Sequence, residues 1–491
     1  MTSTKGAGPG RSPRGVHGTD WPLALLLMVA VALAVPAGIS LFPGFTGPPA
    51  PAAVQPAPTP EWQQRPTAPA TRTGISPLQA SAPMPEPAAL AAALEPQLKA
   101  DGDGDFTAYV QDALTGEVLF SRGGTDARVP ASNTKLLTAA AALRVIDPEH
   151  RFSTTVLQGA EPGTVVLRGG GDVLLSSGES APGQVLGRAG VATLAADTVA
   201  SLQAAGITGA VTVHVDDSLF SGPALNPSWL SGDVEAGEVA PLFPLALNSA
   251  RYNAAVTTGP RPQDSAMATA EAFAASLRNL GAAAGLAVTS DVGRSVAPVD
   301  APVLAEAQSA TVAEQVALML QTSDNYLAEV LGRMAALAAG LPASNDGATS
   351  VVLAEVGKLG ISTDSMVLAD VSGLTMDNRV SAAQLTAVVL AMTSGPDPRL
   401  REALPGFPVA ALTGTLDSRY VAGQDSAGGA GLVRAKTGTL NAVLALSGYV
   451  VDADGRLLVF SFVGNGLKAG AAGNKPALDR AATVLAGCGC R

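Results

Sequence analysis

The sequence predicts an α+β domain that is interrupted by a large, β-rich insertion. Alternating apolar residues indicate a β-hairpin over residues 106–122, and three further strands are predicted near the C-terminus, over residues 432–438, 442–451 and 456–464. Segments with helical character lie between these two groups. Strands from both ends of a chain can join in one sheet on which the intervening helices pack, and this is the arrangement that we expect.

The intervening elements can be assigned in order along the chain. A helix is predicted over residues 132–145, and a pair of helices over residues 311–337 meets around residues 322–325. Short strands and turns are expected over residues 152–300, and a last helix over residues 476–485.

These elements define the expected domains. The chain has 491 residues, of which 47% are hydrophobic, and this is enough for more than one core. Residues 88–154 and 301–491 are expected to form the principal domain, and residues 155–300 one or more inserted domains.

The N-terminal segments predict export. Residues 1–20 form a basic region that we expect on the cytoplasmic side, and residues 21–42 form an apolar run that is either a signal peptide or an uncleaved membrane anchor. Residues 43–87 are rich in Pro, Ala, Thr and Gln and are expected to be an extended, disordered spacer. Both alternatives predict an extracytoplasmic location in the cell envelope, with membrane contact through the N-terminal segment only.

Charge and cysteine content exclude several classes of function. The formal net charge of −11 and the pI near 4.8 argue against nucleic acid as a partner. The two cysteines, Cys488 and Cys490, lie in the last four residues, where they form either a fraying tail or an oxidised pair. We find no motif for a metal ion and expect no cofactor.

Ser132 and Lys135 are the first candidate catalytic residues. Residues three apart on a helix share a face, so the Lys135 amine could reach the Ser132 hydroxyl and serve as its base. A lysine can do this if burial or a neighbouring cation lowers its pKa. The histidines, His17, His150 and His214, are in poor positions for a catalytic triad, and no G-x-S-x-G motif is present. By itself, however, S-x-x-K should occur about twice by chance in a chain of this length.

A second motif, Ser323-Asp324-Asn325, lies beyond the predicted insertion, at the junction of two helices. Ser323 could pass a proton to a leaving amine, and Asn325 could orient Lys135 and a substrate amide.

A third motif, Lys436-Thr437-Gly438-Thr439, lies on a predicted strand. Lys436 could attract a terminal carboxylate and keep Lys135 neutral, and the hydroxyls of Thr437 and Thr439 could bind that carboxylate. Gly438 would let a substrate backbone lie close to the strand. The backbone N–H of Thr439, with that of Ser132, could form an oxyanion hole.

In this order the three motifs resemble those of penicillin-binding proteins and serine β-lactamases. The long interval between the first and second motifs is similar to that of the class C low-molecular-mass group, the D-alanyl-D-alanine carboxypeptidase/endopeptidase family of serine peptidases. The resemblance covers residues 88–491 and implies a transpeptidase-like domain with a five-stranded antiparallel sheet flanked by helices. It also implies hydrolysis of peptidoglycan stem peptides through a Ser132 acyl-enzyme, with β-lactams as covalent inhibitors.

The chain also departs from the family pattern. The family's SGLSR sequence is Ser372 to Met376 here, followed by Asn378, so the arginine that contacts the stem peptide is replaced by Met376. Asp216 could face the substrate in place of this arginine, or it could stabilise a turn. The stretches 167–172, 215–220 and 370–375 also match the family, without assigned catalytic roles.

The glutamate that deacylates class A β-lactamases has no counterpart, because Glu329 and Glu355 lie in different surroundings. We therefore expect β-lactams to leave slowly. The alternatives are a β-lactamase or esterase on the same scaffold, or a non-catalytic wall-binding protein.

Overall fold

The computed structural model describes residue 78, residues 80–468 and residues 472–490. The predicted segments 1–20 and 21–42, and most of the predicted spacer 43–87, lie outside the described residues. Within the described part of the chain, no helix is long and apolar enough to cross a membrane.

The described residues form both helices and strands. The helices are α1 (Pro87–Leu94), α2 (Thr134–Val145), α3 (Val191–Ala204), α4 (Ser231–Glu235), α5 (Ser265–Gly281), α6 (Val312–Thr322), α7 (Asn325–Ala338), α8 (Asn345–Lys358), α9 (Ala382–Ser394) and α10 (Lys475–Gly487). The strands are β1 (Asp105–Asp112), β2 (Val118–Arg122), β3 (Arg151–Gln158), β4 (Thr164–Arg168), β5 (Gly209–Asp216), β6 (Leu286–Arg294), β7 (Val303–Thr311), β8 (Arg434–Leu440), β9 (Val443–Val451) and β10 (Leu457–Asn465). Helices α2, α6, α7 and α10 and the strands β1, β2, β8, β9 and β10 lie close to predicted positions, whereas the other helices had no predicted position.

The first sheet joins strands from both ends of the chain, as predicted. Its five strands lie in the order β2-β1-β10-β9-β8, and all neighbours are antiparallel. Side chains alternate between the two faces of a strand. On β10, Phe460 and Phe462 therefore pack with α1 and α10, whereas Val459 and Val463 face the cluster around α2.

The second sheet lies in the inserted part of the chain. Its five strands have the order β6-β5-β4-β3-β7, with β4, β5 and β6 parallel. Parallel neighbours need crossover connections, and α3 and α5 supply them, with Leu194 and Phe273 packed on Val213 of the sheet. Short strands and turns were predicted here, and these two helices were not. The sheet spans residues 151–311, from four residues before the predicted insertion at 155–300 to eleven residues after it.

Two local features place the helices around the first sheet. Helix α2 is buried from Thr134 to Leu143, and its many alanines let α7 and α8 approach closely. Helix α6 begins with a capping box between Thr311 and Glu314, an arrangement that stabilises a helix by about 1 kcal/mol. It ends at Ser323, whose left-handed backbone (φ 58°) turns the chain directly into α7.

Candidate active site

Ser132 lies in a short 3-10 turn, Ala131–Asn133, immediately before α2. The preceding residue, Ala131, has a φ of 48°, a left-handed conformation that costs about 1 kcal/mol for a residue with a side chain. Gly373 packs against this turn, and a Cβ atom on Gly373 would overlap the Ala131 carbonyl oxygen. Such strain persists where the surrounding structure fixes it, and here it precedes the candidate nucleophile.

Lys135 is fully buried and its ammonium group has three acceptors. The Nζ atom lies 3.0 Å from Ser132 Oγ, 2.6 Å from Asn325 Oδ1 and 2.7 Å from the Ser372 carbonyl oxygen. Burial lowers the pKa of Lys135 to about 8, even though nearby carboxylates oppose this shift. A lysine in this range can exchange a proton with a serine hydroxyl near neutral pH.

Lys436 is the second buried lysine of the site. Its Nζ atom donates to Ser323 Oγ at 2.9 Å and to the Thr437 carbonyl oxygen at 2.7 Å. Burial and then the charge of Lys135 hold the pKa of Lys436 well below its usual value. The structure therefore forms two hydrogen-bonded groups at one site: Lys135 joins Ser132 to Asn325, and Lys436 binds Ser323.

Strand β8 forms one wall of this site. Thr437 Oγ1 is hydrogen-bonded to Thr415 Oγ1 at 2.7 Å, and Thr439 is exposed. A Cβ atom on Gly438 would lie only 3.0 Å from the Pro130 carbonyl oxygen and the Ala131 Cβ atom. Gly438 therefore lets the strand approach the turn that carries Ser132. The sequence analysis had assigned its space to the substrate.

These residues surround a cleft of about 750 Å³. Among the predicted residues, those lining it are Ser132, Ser323, Asn325, Thr437 and Thr439. Asp233, Glu238, Arg251 and Arg261, which lie between β5 and α5, also line it. The cleft can therefore hold a short extended peptide between β8 and the inserted segment.

Asp370 is a functionally placed residue that the sequence analysis missed. Its carboxylate accepts hydrogen bonds from the backbone N–H groups of Gly373, Leu374 and Thr375 at 2.8, 3.0 and 3.0 Å, and from Asn378 Nδ2 at 2.7 Å. These bonds close a loop that presents the Ser372 carbonyl oxygen to Lys135. The one available signal was an aspartate followed three residues later by Gly373, which has a φ of 78°.

Glu329 also stabilises the loop that Asp370 closes. Its Oε1 atom accepts from the backbone N–H groups of Val371 at 3.1 Å and Ser372 at 2.8 Å. Burial, and then the charge of Asp370, raise the pKa of Glu329 to about 7. This carboxyl group does not line the cleft. Glu355 is paired elsewhere, with Arg144 at 2.9 Å.

Two of the departures from the family pattern also have defined positions. Asp216 accepts from the backbone N–H groups of Ser218 at 3.0 Å and Ala297 at 2.9 Å, so it stabilises a turn and does not line the cleft. Met376 is exposed on the loop that Asp370 closes.

The two cysteines lie outside the group of candidate catalytic residues. Cys488 is buried beside α1 and forms a disulfide with Cys490. Within residues 80–468 and 472–490, no group of three or more His, Cys, Asp or Glu side chains is placed to hold a metal ion.

Comparisons with known proteins agree with this architecture. Penicillin-binding protein 4 of Haemophilus influenzae superimposes with a TM-score of 0.63 at 20% identity, over 82% of this chain and 98% of that one. A second structure of that protein contains a β-lactam. Carboxypeptidase DacB of Mycolicibacterium smegmatis is 36% identical over 98% of this chain and 99% of its own length. Carboxypeptidase Rv3627c of Mycobacterium tuberculosis is 37% identical over 87% of this chain and 89% of its own length.

The fold is that of penicillin-binding protein 4, with a helical layer and a five-stranded antiparallel sheet around a Ser-Lys pair. The sequence profile of the D-Ala-D-Ala carboxypeptidase 3 (S13) family matches residues 90–268 and 260–485. The chain belongs to that family, and it is an enzyme of the carboxypeptidase class.

Proposed function

We propose that the protein hydrolyses the terminal D-Ala-D-Ala peptide bond of peptidoglycan stem peptides through an acyl-enzyme on Ser132. The observation that carries the proposal is the position of Lys135 Nζ, which bridges Ser132 Oγ at 3.0 Å and Asn325 Oδ1 at 2.6 Å on the floor of the cleft. No histidine lines this cleft within the described residues, so Lys135 is the base that the geometry offers.

In the first step, Ser132 Oγ attacks the carbonyl carbon of the penultimate D-Ala while its proton passes to neutral Lys135. The bond from Oγ to carbon forms, and the oxyanion is stabilised by the backbone N–H groups of Ser132 and Thr439.

In the second step, the peptide C–N bond breaks and the amine of the terminal D-Ala needs a proton. Ser323 supplies it, since its hydroxyl lies 2.9 Å from Lys436 Nζ and can be reprotonated through the buried lysines. Water then hydrolyses the ester, which releases the shortened peptide and restores the Ser132 hydroxyl.

The C-terminal carboxylate of the substrate is held at β8. Thr437 and Thr439 bind it through their hydroxyls, and the positive charge of Lys436 attracts it. Thr415 orients the Thr437 hydroxyl through their 2.7 Å hydrogen bond.

β-Lactams are expected to acylate Ser132 and to leave slowly. Glu329 cannot activate a deacylating water, because its carboxyl group is occupied by the Val371 and Ser372 N–H groups behind the loop. The β-lactam complex of the Haemophilus influenzae relative supports binding of this drug class at such a cleft. The proposed substrate and the apolar sequence of residues 21–42 both support a location outside the cytoplasm, in the cell envelope.

Labelling with a fluorescent penicillin tests the acyl-enzyme. Wild-type protein should take up a persistent label, and Ser132→Ala should take up none. Purified stem peptides with two terminal D-Ala residues should lose one D-Ala, as measured by mass. Rapid turnover of a chromogenic cephalosporin without a persistent adduct would instead indicate a β-lactamase. Peptide binding without D-Ala release would indicate a wall-binding protein.

A further inference from the structure

The inserted segment directly contacts two residues of the Ser-Asp-Asn motif. Asn325 Nδ2 donates to the Glu238 carbonyl oxygen at 3.0 Å, and Arg251 Nη1 donates to Asp324 Oδ2 at 2.9 Å. Glu238 and Arg251 both lie between β5 and α5, so the second motif depends on a part of the chain that precedes it by many residues.

The chain that leads to Arg251 has an unusual backbone. Asn248, Ser249 and Ala250 have φ values of 53°, 57° and 54°, so three successive non-glycine residues are left-handed. Such residues seldom occur in succession, because each Cβ atom crowds the following carbonyl group. A turn of this kind persists only where its surroundings fix it.

Backbone hydrogen bonds from Asn248 and Ser249 hold this turn, and the Arg261 side chain anchors it further. Arg261 is 5% exposed, and it donates from Nη1 to the Ser249 carbonyl oxygen at 2.9 Å and from Nε to the Gly237 carbonyl oxygen at 2.5 Å. Gly237 immediately precedes Glu238. The same side chain therefore anchors both stretches of the insertion that contact the motif.

Asp324 transmits this anchoring to its neighbours. Its Oδ1 atom accepts from the Leu327 N–H at 3.1 Å as the N-cap of α7, and its Oδ2 atom binds Arg251. The carboxylate is thus held from two sides, and its side chain is 3% exposed. Because Asp324 lies between Ser323 and Asn325, fixing it sets the directions of both side chains.

We propose that Arg251 is a positioning residue of the active site, which holds Ser323 and Asn325 in place through Asp324. The inserted segment is accordingly part of the catalytic apparatus as well as a wall of the cleft. This inference rests on the proposed acyl-enzyme function of Ser132.

Electrostatics gives the inference a specific signature. The charged groups that face Lys135 are Asp370, Asp324, Glu329, Glu238 and Lys436. Burial alone would raise the pKa of Asp324, but the charges of Arg251 and Arg261 outweigh it and lower that pKa. Loss of Arg251 leaves the Asp324 charge less compensated, so the pKa of Lys135 should rise. Loss of the Asp324 charge should lower it.

The experiment compares wild type, Arg251→Lys, Arg251→Met and Asp324→Asn. The second-order rate constant for acylation by a fluorescent penicillin is measured between about pH 6 and about pH 9, with the melting temperature of each variant. Arg251→Met should acylate about 10- to 100-fold more slowly, and Arg251→Lys should recover most of the loss. The midpoint of the acid limb should move to higher pH in Arg251→Met and to lower pH in Asp324→Asn.

Arg188→Met is the matched control. Arg188 is about as buried as Arg251, with side-chain exposures of 17% and 15%, and it pairs with Glu314 at 2.7 Å at the far end of α6. The Arg188→Met substitution should lower the melting temperature without changing the midpoint of the acid limb.

The inference would be overturned if Arg251→Met had the same acylation rate and the same acid limb as wild type. It would also be overturned if the midpoints of Arg251→Met and Asp324→Asn shifted in the same direction. If Arg251→Met does not fold, Arg251→Lys and Asp324→Asn still give the comparison, because the inference requires a near-normal midpoint in the first and a lowered one in the second. If wild type is labelled and the variants behave as wild type does, this inference alone is refuted. Wild type without any label refutes the proposed function as well.

Discussion

The carbonyl oxygen of Ser372 accepts a hydrogen bond from Lys135 Nζ at 2.7 Å. This hydrogen bond joins two residues that are far apart in sequence. Burial favours the neutral amine of this lysine, whereas the charges of nearby carboxylates, Asp370 first, favour the ammonium form. The balance between these effects sets the pH at which Lys135 can act as a base.

The rate of acylation should follow the titration of Lys135. Below its pKa of about 8 the neutral fraction falls tenfold for each pH unit, so the rate should fall in the same proportion. Above that pKa the rate should level off. Stopped-flow labelling with a fluorescent penicillin measures this profile, and a rate that is constant between about pH 6 and about pH 8 would contradict Lys135 as the base.

Asp370→Asn should disrupt the loop that presents Ser372. The amide group has one oxygen atom, so the N–H groups of Leu374 and Thr375 would lose their acceptor. The free energy of unfolding should fall by about 3 kcal/mol, and acylation should slow by about tenfold or more. Denaturant unfolding and labelling measure the two effects. Asp377→Asn, exposed on the same loop, is the control and should change stability by less than about 0.5 kcal/mol.

Gly438→Ala should displace the turn that carries Ser132. The added Cβ atom would lie 3.0 Å from the Pro130 carbonyl oxygen and Ala131 Cβ, and relief of this contact must move either β8 or the turn. We expect a loss of about 1–3 kcal/mol in stability and a reduced acylation rate. Gly357→Ala in α8 has open space around its Cβ atom and should be neutral or stabilising. An unimpaired Gly438→Ala enzyme would show that the close packing has no role.

Glu329 should make stability depend on pH. Its folded pKa of about 7 lies above the ordinary value of 4.5, so the native state binds the proton more tightly than the unfolded state. Its contribution to stability is therefore lost as the pH rises from 4.5 towards 7, by up to about 3 kcal/mol. Glu329→Gln keeps an acceptor for Val371 and Ser372 but cannot ionise.

Chemical unfolding at about pH 5 and about pH 8 measures this difference. The stability of Glu329→Gln relative to wild type should be greater at the higher pH. Asp172, whose pKa burial also raises to about 7, cancels in the comparison because both proteins contain it. An identical difference at the two pH values would show that Glu329 does not titrate in this range.

Much of the fold was predictable because its signals are local. The strands β9 and β10 are short, nearly continuous apolar runs on either side of a turn sequence, and the break between α6 and α7 lies at a Ser-Asp-Asn sequence whose aspartate is a good N-cap. Helices α3 and α5 were missed because their alanine-rich sequences give little contrast between faces, so the apolar pattern could not be distinguished from that of short strands.

The candidate site was only partly predictable. Three motifs identified eight residues, and the structure brings all of them to one place. Asp370 and Arg251 were not predicted, because their roles depend on tertiary contacts with Lys135 and Asp324 that no spacing in the sequence reveals. The packing of Gly438 against Pro130 could not be predicted for the same reason, since the two residues are adjacent only in the folded protein.

The pairing of β1 with β10 has a consequence for how the protein forms. Asp105 lies opposite Asn465, so nearly the whole chain must be synthesised before the central pair of the first sheet can assemble. The second sheet, by contrast, closes within residues 151–311. Contacts between distant parts of a chain carry the highest loop-closure cost and form slowly. During synthesis from the N-terminus, the second sheet can therefore form before the first sheet. The site around Ser132 is complete only after the last strands of the first sheet have been synthesised.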